Sequence, residues 1–309
     1  MEEQEHQLTQ DQAKPEGLLH HYTDEKGLLG ILESGNIWAT HYLFLNDQSE
    51  LQEAPALLFT AIDQMILNDP VLSSTYWNGI RGALKHTGKR IASYLVSFTE
   101  DSGEKGDRLS QWRGYSSNRP GFSLGFNRDR LKSKAEEVMS SEKLPTNLWK
   151  CLYDDEPKRA LIRNSAETHA KAVKEWVEQE KDNPRIADKE YRREELRKHL
   201  EPLQEKLLEL SAKFKHSGFR EENEWRLVFY VFDRPANPDL IHYREGFFRR
   251  TPYIRIPLGP KDPDSPLERI VVGPAQDKEQ SVARLKIDLA KLGIQGVEVV
   301  PSEIPYRNW

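Results

Sequence analysis

The run from Phe219 to Tyr230, FREENEWRLVFY, places a cluster of carboxylates directly before an apolar segment. From Glu224 onward apolar and polar residues alternate, which is typical of a strand with one buried face. An acidic residue at the start of such a strand is held rigidly, so Glu224 is a candidate for a carboxylate fixed in a cleft. The same pattern also fits a solvated loop before a core strand, with Glu224 and Arg226 as cross-strand ion partners.

Length, net charge and cysteine content limit the number of domains and the partners that the chain can have. The 309 residues are enough for one large domain with an insertion or for two domains. A net charge of −5 argues against broad non-specific binding of nucleic acid, although a local basic patch is compatible with it. Cys151 is the one cysteine, so no intrachain disulfide forms, which fits the cytoplasm. No signal peptide and no membrane span are predicted.

Local patterns predict an α+β domain. Residues 1–16 are polar and predicted to be a disordered tail, and residues 17–309 are predicted to form a single domain. Strands are expected at LLHHY, NIWAT, IASYLVSFT, GFSLGFN and ENEWRL and near the end of the chain. Residues 71–88 are predicted to hold an irregular helix. The charged stretch from about 130 to 215 has helical periodicity and is predicted to be a helical insertion, with an internal break at NPRIADKEY. Its expected role is in self-association or in substrate selection.

His20 and His21 stand where the first predicted strand meets a helix that Thr23 or Asp24 caps. A histidine at a strand end is often a structural hydrogen-bonding group. Here the neighbouring helix start also offers free N–H groups that favour anions such as phosphate.

Other catalytic motifs are absent or sit in the wrong context. The chain has no P-loop, no dinucleotide-binding glycine fingerprint and no HExxH or Cys/His cluster. The string GFSLG, at Gly121–Gly125, matches the nucleophile elbow by letter. However, Ser123 falls inside an apolar alternation typical of a strand, whereas the elbow requires a turn between strand and helix.

Six motifs occur in an order that resembles a bacterial family known only as a domain of unknown function. They are LLHHYTDEKGLLGIL, LND followed by Glu50, VSFTE, LSQWRGYSSNRPGFSLGFN, ENEWRLV and IVVGP. The resemblance covers residues 18–307, with the charged helices as the variable part.

The layout of these motifs also resembles the ADP-ribosyltransferase superfamily. That resemblance implies a split β-sheet core, NAD as the substrate, no metal, and a site built from three strands. His21 and Tyr22 would come from the first strand, Ser97 from the second, and Glu224 from the third. Glu222, two residues before Glu224, would share its strand face and point into the same cleft. The resemblance further suggests Arg113 or Arg119 as the group that holds the pyrophosphate. The chain departs from the superfamily in reading VSFTE at the second motif and in its large insertion.

The function that this resemblance implies is NAD-dependent ADP-ribosyl transfer or NAD hydrolysis, in a bacterial toxin or an anti-phage defence effector. A fixed carboxylate would stabilise the positive charge that develops on the ribose, and His21 and Ser97 would orient the substrate. The acceptor would be a protein or a nucleic acid, and a regulatory partner or a second copy would bind through the insertion. Two alternatives stay open. One is a non-catalytic module that binds nucleotide or nucleic acid, and the other is a nuclease that binds metal through Asp47, Glu50 and Glu224.

Overall fold

The computed structural model describes residues 17–45, 52–68, 91–100, 103, 105–115, 121–140, 146–232, 235, 237–245 and 250–305. The predicted tail at 1–16 and the predicted helix at 71–88 lie outside these ranges. Within them the chain has a mixed α+β fold, as predicted.

The strands of the described residues form one mostly antiparallel sheet, in which only β9 and β10 are parallel. The strands are β1 (Leu19–Thr23), β2 (Asn36–His41), β3 (Ile91–Glu100), β4 (Phe122–Phe126), β5 (Thr146–Lys150), β6 (Glu224–Phe232), β7 (Ile241–Arg244), β8 (Thr251–Pro257), β9 (Leu267–Val272) and β10 (Glu298–Pro301). The main strand order is β10-β9-β4-β1-β3-β2-β8-β7, and β6 pairs with both β3 and β5.

The described α-helices cover both faces of this sheet. They are α1 (Glu25–Ser34), α2 (Glu53–Asn68), α3 (Leu109–Tyr115), α4 (Arg128–Met139), α5 (Asp155–Glu180), α6 (Lys189–Lys213) and α7 (Lys278–Leu292). Helices α1, α4 and α7 contribute to the main apolar core on one face. Helices α2, α5 and α6 form a second apolar cluster, and α6 reaches the other face of the sheet at β3 and β6.

Strand β3 is the point at which the sheet branches. Strand β6 pairs along one edge of β3, from Ile91 to Thr99, so β1 and β2 must share the other edge. On that edge β1 pairs only at Thr99 and Glu100, and β2 pairs only at Tyr94 and Leu95. Among the described residues, therefore, no strand pairs with residues 96–98 on this edge, and the sheet opens there into two wings.

Local sequence signals explain the element boundaries near this branch. Asp24 caps α1, because its side chain accepts a hydrogen bond from the Gly27 N–H at 2.7 Å. Gly35 ends the helix in the left-handed conformation, at φ +68°, and its N–H donates to the Ile31 carbonyl. These two signals set the turn between β1 and β2 and so determine how the two strands approach β3.

The predicted helical insertion at about 130–215 requires a correction. It contains the antiparallel hairpin of α5 and α6, broken at Pro184–Ala187 where the sequence predicted a break. It also contains β5, which pairs with β6 from Thr146 to Lys150. The stretch is therefore not helical throughout, and part of it belongs to the sheet.

We expect Leu203→Ala, in the middle of α6, to destabilise the protein by about 3 kcal/mol. Leu203 is only 3% exposed in the apolar cluster of the hairpin, and truncation of a buried leucine leaves a cavity. The measurement is urea unfolding followed by circular dichroism. Val177→Ala is the matched control, because Val177 lies on the same hairpin but is 38% exposed. Equal losses for the two variants would contradict the packing described.

Candidate functional site

A small cleft lies where β1 and β3 diverge. Its cavity volume is about 60 Å³, enough for a few water molecules. The residues that line it come from β1, β3, α3 and the start of β6: His20, His21, Tyr22, Ser97, Phe98, Thr99, Gln111, Glu222 and Glu224. The structure thus brings together five of the seven residues singled out from the sequence.

His21 bridges the opening between β1 and β3. Its Nδ1 lies 3.0 Å from the backbone carbonyl oxygen of Ser97, and its ring meets Phe98 edge-on at 5.9 Å. A carbonyl oxygen only accepts, so Nδ1 carries the proton. Burial lowers the pKa of His21, and the bond to Ser97 opposes that shift less strongly. The imidazole is therefore neutral at pH 7, with Nε2 as a lone-pair acceptor.

Glu224 is a buried carboxylate held between two cations. Arg226 Nε lies 3.2 Å from Oε1 and Arg226 Nη2 lies 3.2 Å from Oε2, while Lys215 Nζ lies 2.6 Å from Oε2. Burial by itself would raise the pKa of Glu224, but the two cations outweigh it and lower the pKa to about 2. The Sγ of Cys151 lies 3.6 Å from Oε2 as well. Glu224 is thus ionised at every pH near neutrality.

This ion network agrees in part with the alternative interpretation of the sequence, in which Glu224 and Arg226 are ion partners. They lie two residues apart on one strand, however, and are not cross-strand neighbours. Nor is the pair solvated, since the side chains of Arg226 and Glu224 are 0% and 4% exposed. The carboxylate is part of the interior of the protein and also part of the cleft wall.

Lys215 was not singled out from the sequence, and the backbone explains how it reaches Glu224. Beyond β5 the chain stays extended, and the Cys151 N–H donates to the Glu224 carbonyl at 2.8 Å. The next residue, Leu152, accepts from the Lys215 N–H at 3.1 Å. Arg226 Nη1 donates to the carbonyl of Ala212 at 3.2 Å, which caps the end of α6 with a cation. The hairpin therefore ends inside the site.

Glu222 reaches the cleft by a different route from the one predicted. It was expected to share a strand face with Glu224, but it ends a 3₁₀ turn, Ser217–Glu222. Asn223 then adopts the left-handed conformation, at φ +42°, before β6 begins. The strand argument for Glu222 is therefore wrong, although Lys215 Nζ lies 2.8 Å from Glu222 Oε2 and 2.6 Å from Glu224 Oε2. The shared lysine is what brings the two carboxylates together.

Tyr22 and His20 form the buried floor of the site. The Tyr22 hydroxyl donates to the Gly106 carbonyl at 2.9 Å and accepts from the Arg108 N–H at 3.2 Å. Burial raises the pKa of Tyr22 strongly, so its hydroxyl stays protonated. His20 is 1% exposed, and its Nδ1 lies 3.1 Å from Ser123 Oγ. Ser123 is itself fully buried within β4, so it does not sit on a nucleophile elbow.

The remaining predicted residues contribute less to the cleft. Ser97 lies on the same strand face as Arg226, which is its register partner, and its side chain is half-buried. Arg113 is exposed on α3 and is not part of the cleft lining, whereas Gln111 of the same helix is. Arg119 lies outside the described residues.

No metal site is found in the part of the chain that the structure describes. Of the three carboxylates in the metal-dependent alternative, Asp47 and Glu50 lie outside that part. Among the described helices, none combines the length and the hydropathy that a bilayer span requires.

Comparison with known proteins finds a similarity over part of the chain. Residues 111–227 match the model of a family described as a protein of unknown function (DUF2971). The matched range runs from α3 into β6 and includes Gln111, Lys215, Glu224 and Arg226, but it leaves out β1 with His21. No curated protein matches the chain, and no solved structure matches it either.

We expect Gly106→Ala to destabilise the protein by about 2 kcal/mol or more. Gly106 has φ +78°, and an added Cβ would lie 2.2 Å from His20 Nδ1, so the substitution combines backbone strain with a clash against a buried ring. Gly293→Ala is the control, because Gly293 has φ +73° but nothing lies within 4 Å of its added Cβ. Urea unfolding of that variant should show a loss of about 1 kcal/mol. If the control lost as much as Gly106→Ala, His20 would not be tightly enclosed.

Proposed function

We propose that the chain binds NAD at this cleft and cleaves the bond between nicotinamide and ribose, as an ADP-ribosyltransferase or NAD glycohydrolase. The observation that carries the proposal is the opening in the sheet at residues 96–98, with a carboxylate of lowered pKa, Glu224, beside it. A split sheet with residues from three strands at the split is also what the resemblance to ADP-ribosyltransferases implies.

The charges of the site constrain how Glu224 would act. A carboxylate has about four acceptor positions, two on each oxygen. Oε2 already takes Arg226, Lys215 and the Cys151 thiol, whereas Oε1 takes Arg226 alone. Oε1 is therefore the oxygen that would accept a ribose hydroxyl. Its negative charge would offset the oxocarbenium character that develops as the nicotinamide leaves.

His21 and Lys215 would play supporting roles. The neutral His21 offers Nε2 as an acceptor for a ribose hydroxyl or for the carboxamide N–H of nicotinamide. This contributes positioning more than proton transfer. Lys215 joins Glu222 to Glu224, so movement of Lys215 would free the carboxylates to bind substrate.

The size of the cleft adds a requirement to the proposal. Ligand pockets usually enclose about 300–1,000 Å³, well above the 60 Å³ of this cleft. The turn Ser217–Glu222 carries one wall residue, Glu222, and is otherwise exposed over most of its length. We therefore expect this turn to move outward when NAD binds, as closing and opening segments do in many enzymes.

The biological setting belongs to the proposal and rests on the resemblance alone. It comprises a bacterial toxin or anti-phage effector in the cytoplasm, with a protein or nucleic-acid acceptor. One observation supports regulation by a partner, or by self-association, through the α5–α6 hairpin. Lys215 follows the end of α6 by two residues and binds Glu224, so a ligand on the hairpin could act on the site through it.

The test is NAD binding by calorimetry together with nicotinamide release, with the wild type compared to His21→Asn. Asparagine retains a donor near the Ser97 carbonyl but removes the acceptor at Nε2. We expect the wild type to bind NAD. We expect turnover in His21→Asn to be lower than in the wild type by about tenfold to a hundredfold, the usual range for a lost positioning or electrostatic contact. His199→Asn, on the helical hairpin, should behave as the wild type.

Glu224→Gln provides a stricter version of the test. It keeps the shape of the side chain but removes its charge, and we expect it to abolish nicotinamide release. Because it also leaves two cations near a neutral amide, its folding must be verified by circular dichroism. Failure of the wild type to bind NAD would contradict the proposal. Binding without turnover would favour the non-catalytic nucleotide-binding module.

A further inference from the structure

A surface of aromatic and cationic side chains lies on the wing formed by β2, β8 and β7. Register places its members on one face, since Trp38 pairs with Arg255 and Tyr253 pairs with both Thr40 and His242. We call this the β2–β8–β7 face and define it by Trp38, His242, Arg244, Tyr253 and Arg255.

The rings on this face are stacked. Trp38 and Tyr253 have centroids 4.4 Å apart and an interplanar angle of 29°, and His242 lies 5.7 Å from Tyr253. Tyr253 is buried, while Trp38 and His242 are half-exposed. The half-exposed Trp38 and His242 thus bring part of an aromatic cluster, packed on the buried Tyr253, to the surface of the protein.

Two arginines lie over these rings. The guanidinium carbon of Arg244 is 5.5 Å from the Trp38 ring, and that of Arg255 is 5.9 Å from the Tyr253 ring. Arg244 also donates to Thr40 Oγ1 at 3.3 Å, and Arg255 to the Tyr253 hydroxyl at 3.4 Å. Both side chains are exposed. Each guanidinium is thus oriented by neutral groups and keeps N–H donors for an anion.

Arg244 and Arg255 differ in their ion pairing from other arginines of the part of the chain that the structure describes. Among the described residues, no carboxylate forms an ion pair with Arg244 or Arg255. By contrast, Arg269 Nη2 lies 2.6 Å from Glu298 Oε2. The positive charge of these two arginines contrasts with the net charge of −5 of the chain as a whole.

We infer that the β2–β8–β7 face binds single-stranded nucleic acid. Unpaired bases stack on exposed aromatic rings, and guanidinium groups bind the phosphates between them. A duplex hides the faces of its bases inside the stack, so it offers this surface only its phosphates. Arg244 and Arg255 would bind the phosphates, and the half-exposed Trp38 and His242 would contact the bases.

The position of this face relates it to the cleft. Thr40 of β2 pairs with Leu95 of β3, so Trp38 and Ser97, each two residues further along, leave the sheet on the same face. A nucleic acid bound across the β2–β8–β7 face would therefore lie on the cleft side of the sheet. The inference itself rests on the aromatic rings and on two arginines that form no ion pair with a carboxylate among the described residues, and it holds whether or not the chain cleaves NAD.

The experiment measures binding of the full chain to fluorescently labelled 12-nucleotide probes by anisotropy, without NAD. The probes are oligo-dT, oligo-U and a DNA duplex of equal length, each at two salt concentrations. We expect both single strands to bind more tightly than the duplex.

Substitutions then locate the binding surface. Arg244→Gln combined with Arg255→Gln should weaken single-strand binding about tenfold or more. The double variant should also make the negative slope of log K against log salt shallower by about 1.4, since each phosphate contact on a single strand contributes about 0.7 to its magnitude. Trp38→Leu should weaken binding about tenfold through lost stacking.

Glu245→Gln removes the exposed negative charge next to Arg244 and should tighten binding. Arg284→Gln, on α7 and 74% exposed, is the control and should have no effect.

The outcomes separate the possible occupants. Single-strand binding that is lost in the double arginine variant and kept in Arg284→Gln supports the inference. The two arginine substitutions are at exposed positions, so they remain informative even if Trp38→Leu fails to fold. Equal affinity for duplex and single strand, or wild-type affinity in the double variant, would overturn the inference. Binding to vesicles containing phosphatidylserine, in the absence of binding to either oligonucleotide, would overturn it as well and would indicate a membrane surface.

Discussion

The ion network of Glu224, Arg226 and Lys215 is the interaction on which the rest of the site depends. A buried carboxylate is stable only with charged partners, and removal of one partner of a buried ion pair usually costs about 3–5 kcal/mol. Here the partners come from different elements. Arg226 lies on β6 and also caps α6, while Lys215 follows α6 and also binds Glu222. One network therefore attaches the helical hairpin to the sheet, orients the turn before β6 and fixes the charge state of the cleft.

Much of the fold could be predicted from the sequence because its signals are local. The start and the end of α1 follow from Asp24 and Gly35, and Ser123 was correctly assigned to a strand from the alternation around it. The break between α5 and α6 was predicted for the same reason. Strands β5 and β7 were missed, since β5 lies in a charged stretch with helical periodicity and β7 has only four residues.

The site was harder to predict because its key contacts are not local. Lys215 is one of 45 lysines and arginines, and nothing in its neighbourhood distinguishes it from the solvated cations of the insertion. Only the pairing of β5 with β6 brings it to Glu224. Glu222 was placed correctly near Glu224, but by an argument that fails at the left-handed Asn223. The opening in the sheet depends on where β1 and β2 stop pairing with β3, which no local pattern encodes.

The titration of Glu224 is the most direct test of this account. Its folded pKa of about 2 lies below the ordinary value of 4.5, so the ionised carboxylate stabilises the fold above about pH 4.5. That stabilisation is lost as the pH falls toward 2. The measurement is the ¹³C shift of the Glu224 carboxyl carbon as a function of pH, in the wild type and in Lys215→Met. We predict no titration of Glu224 above pH 3 while the wild type remains folded, and a higher pKa in the variant. A wild-type pKa near 4.5, unchanged by Lys215→Met, would contradict the account.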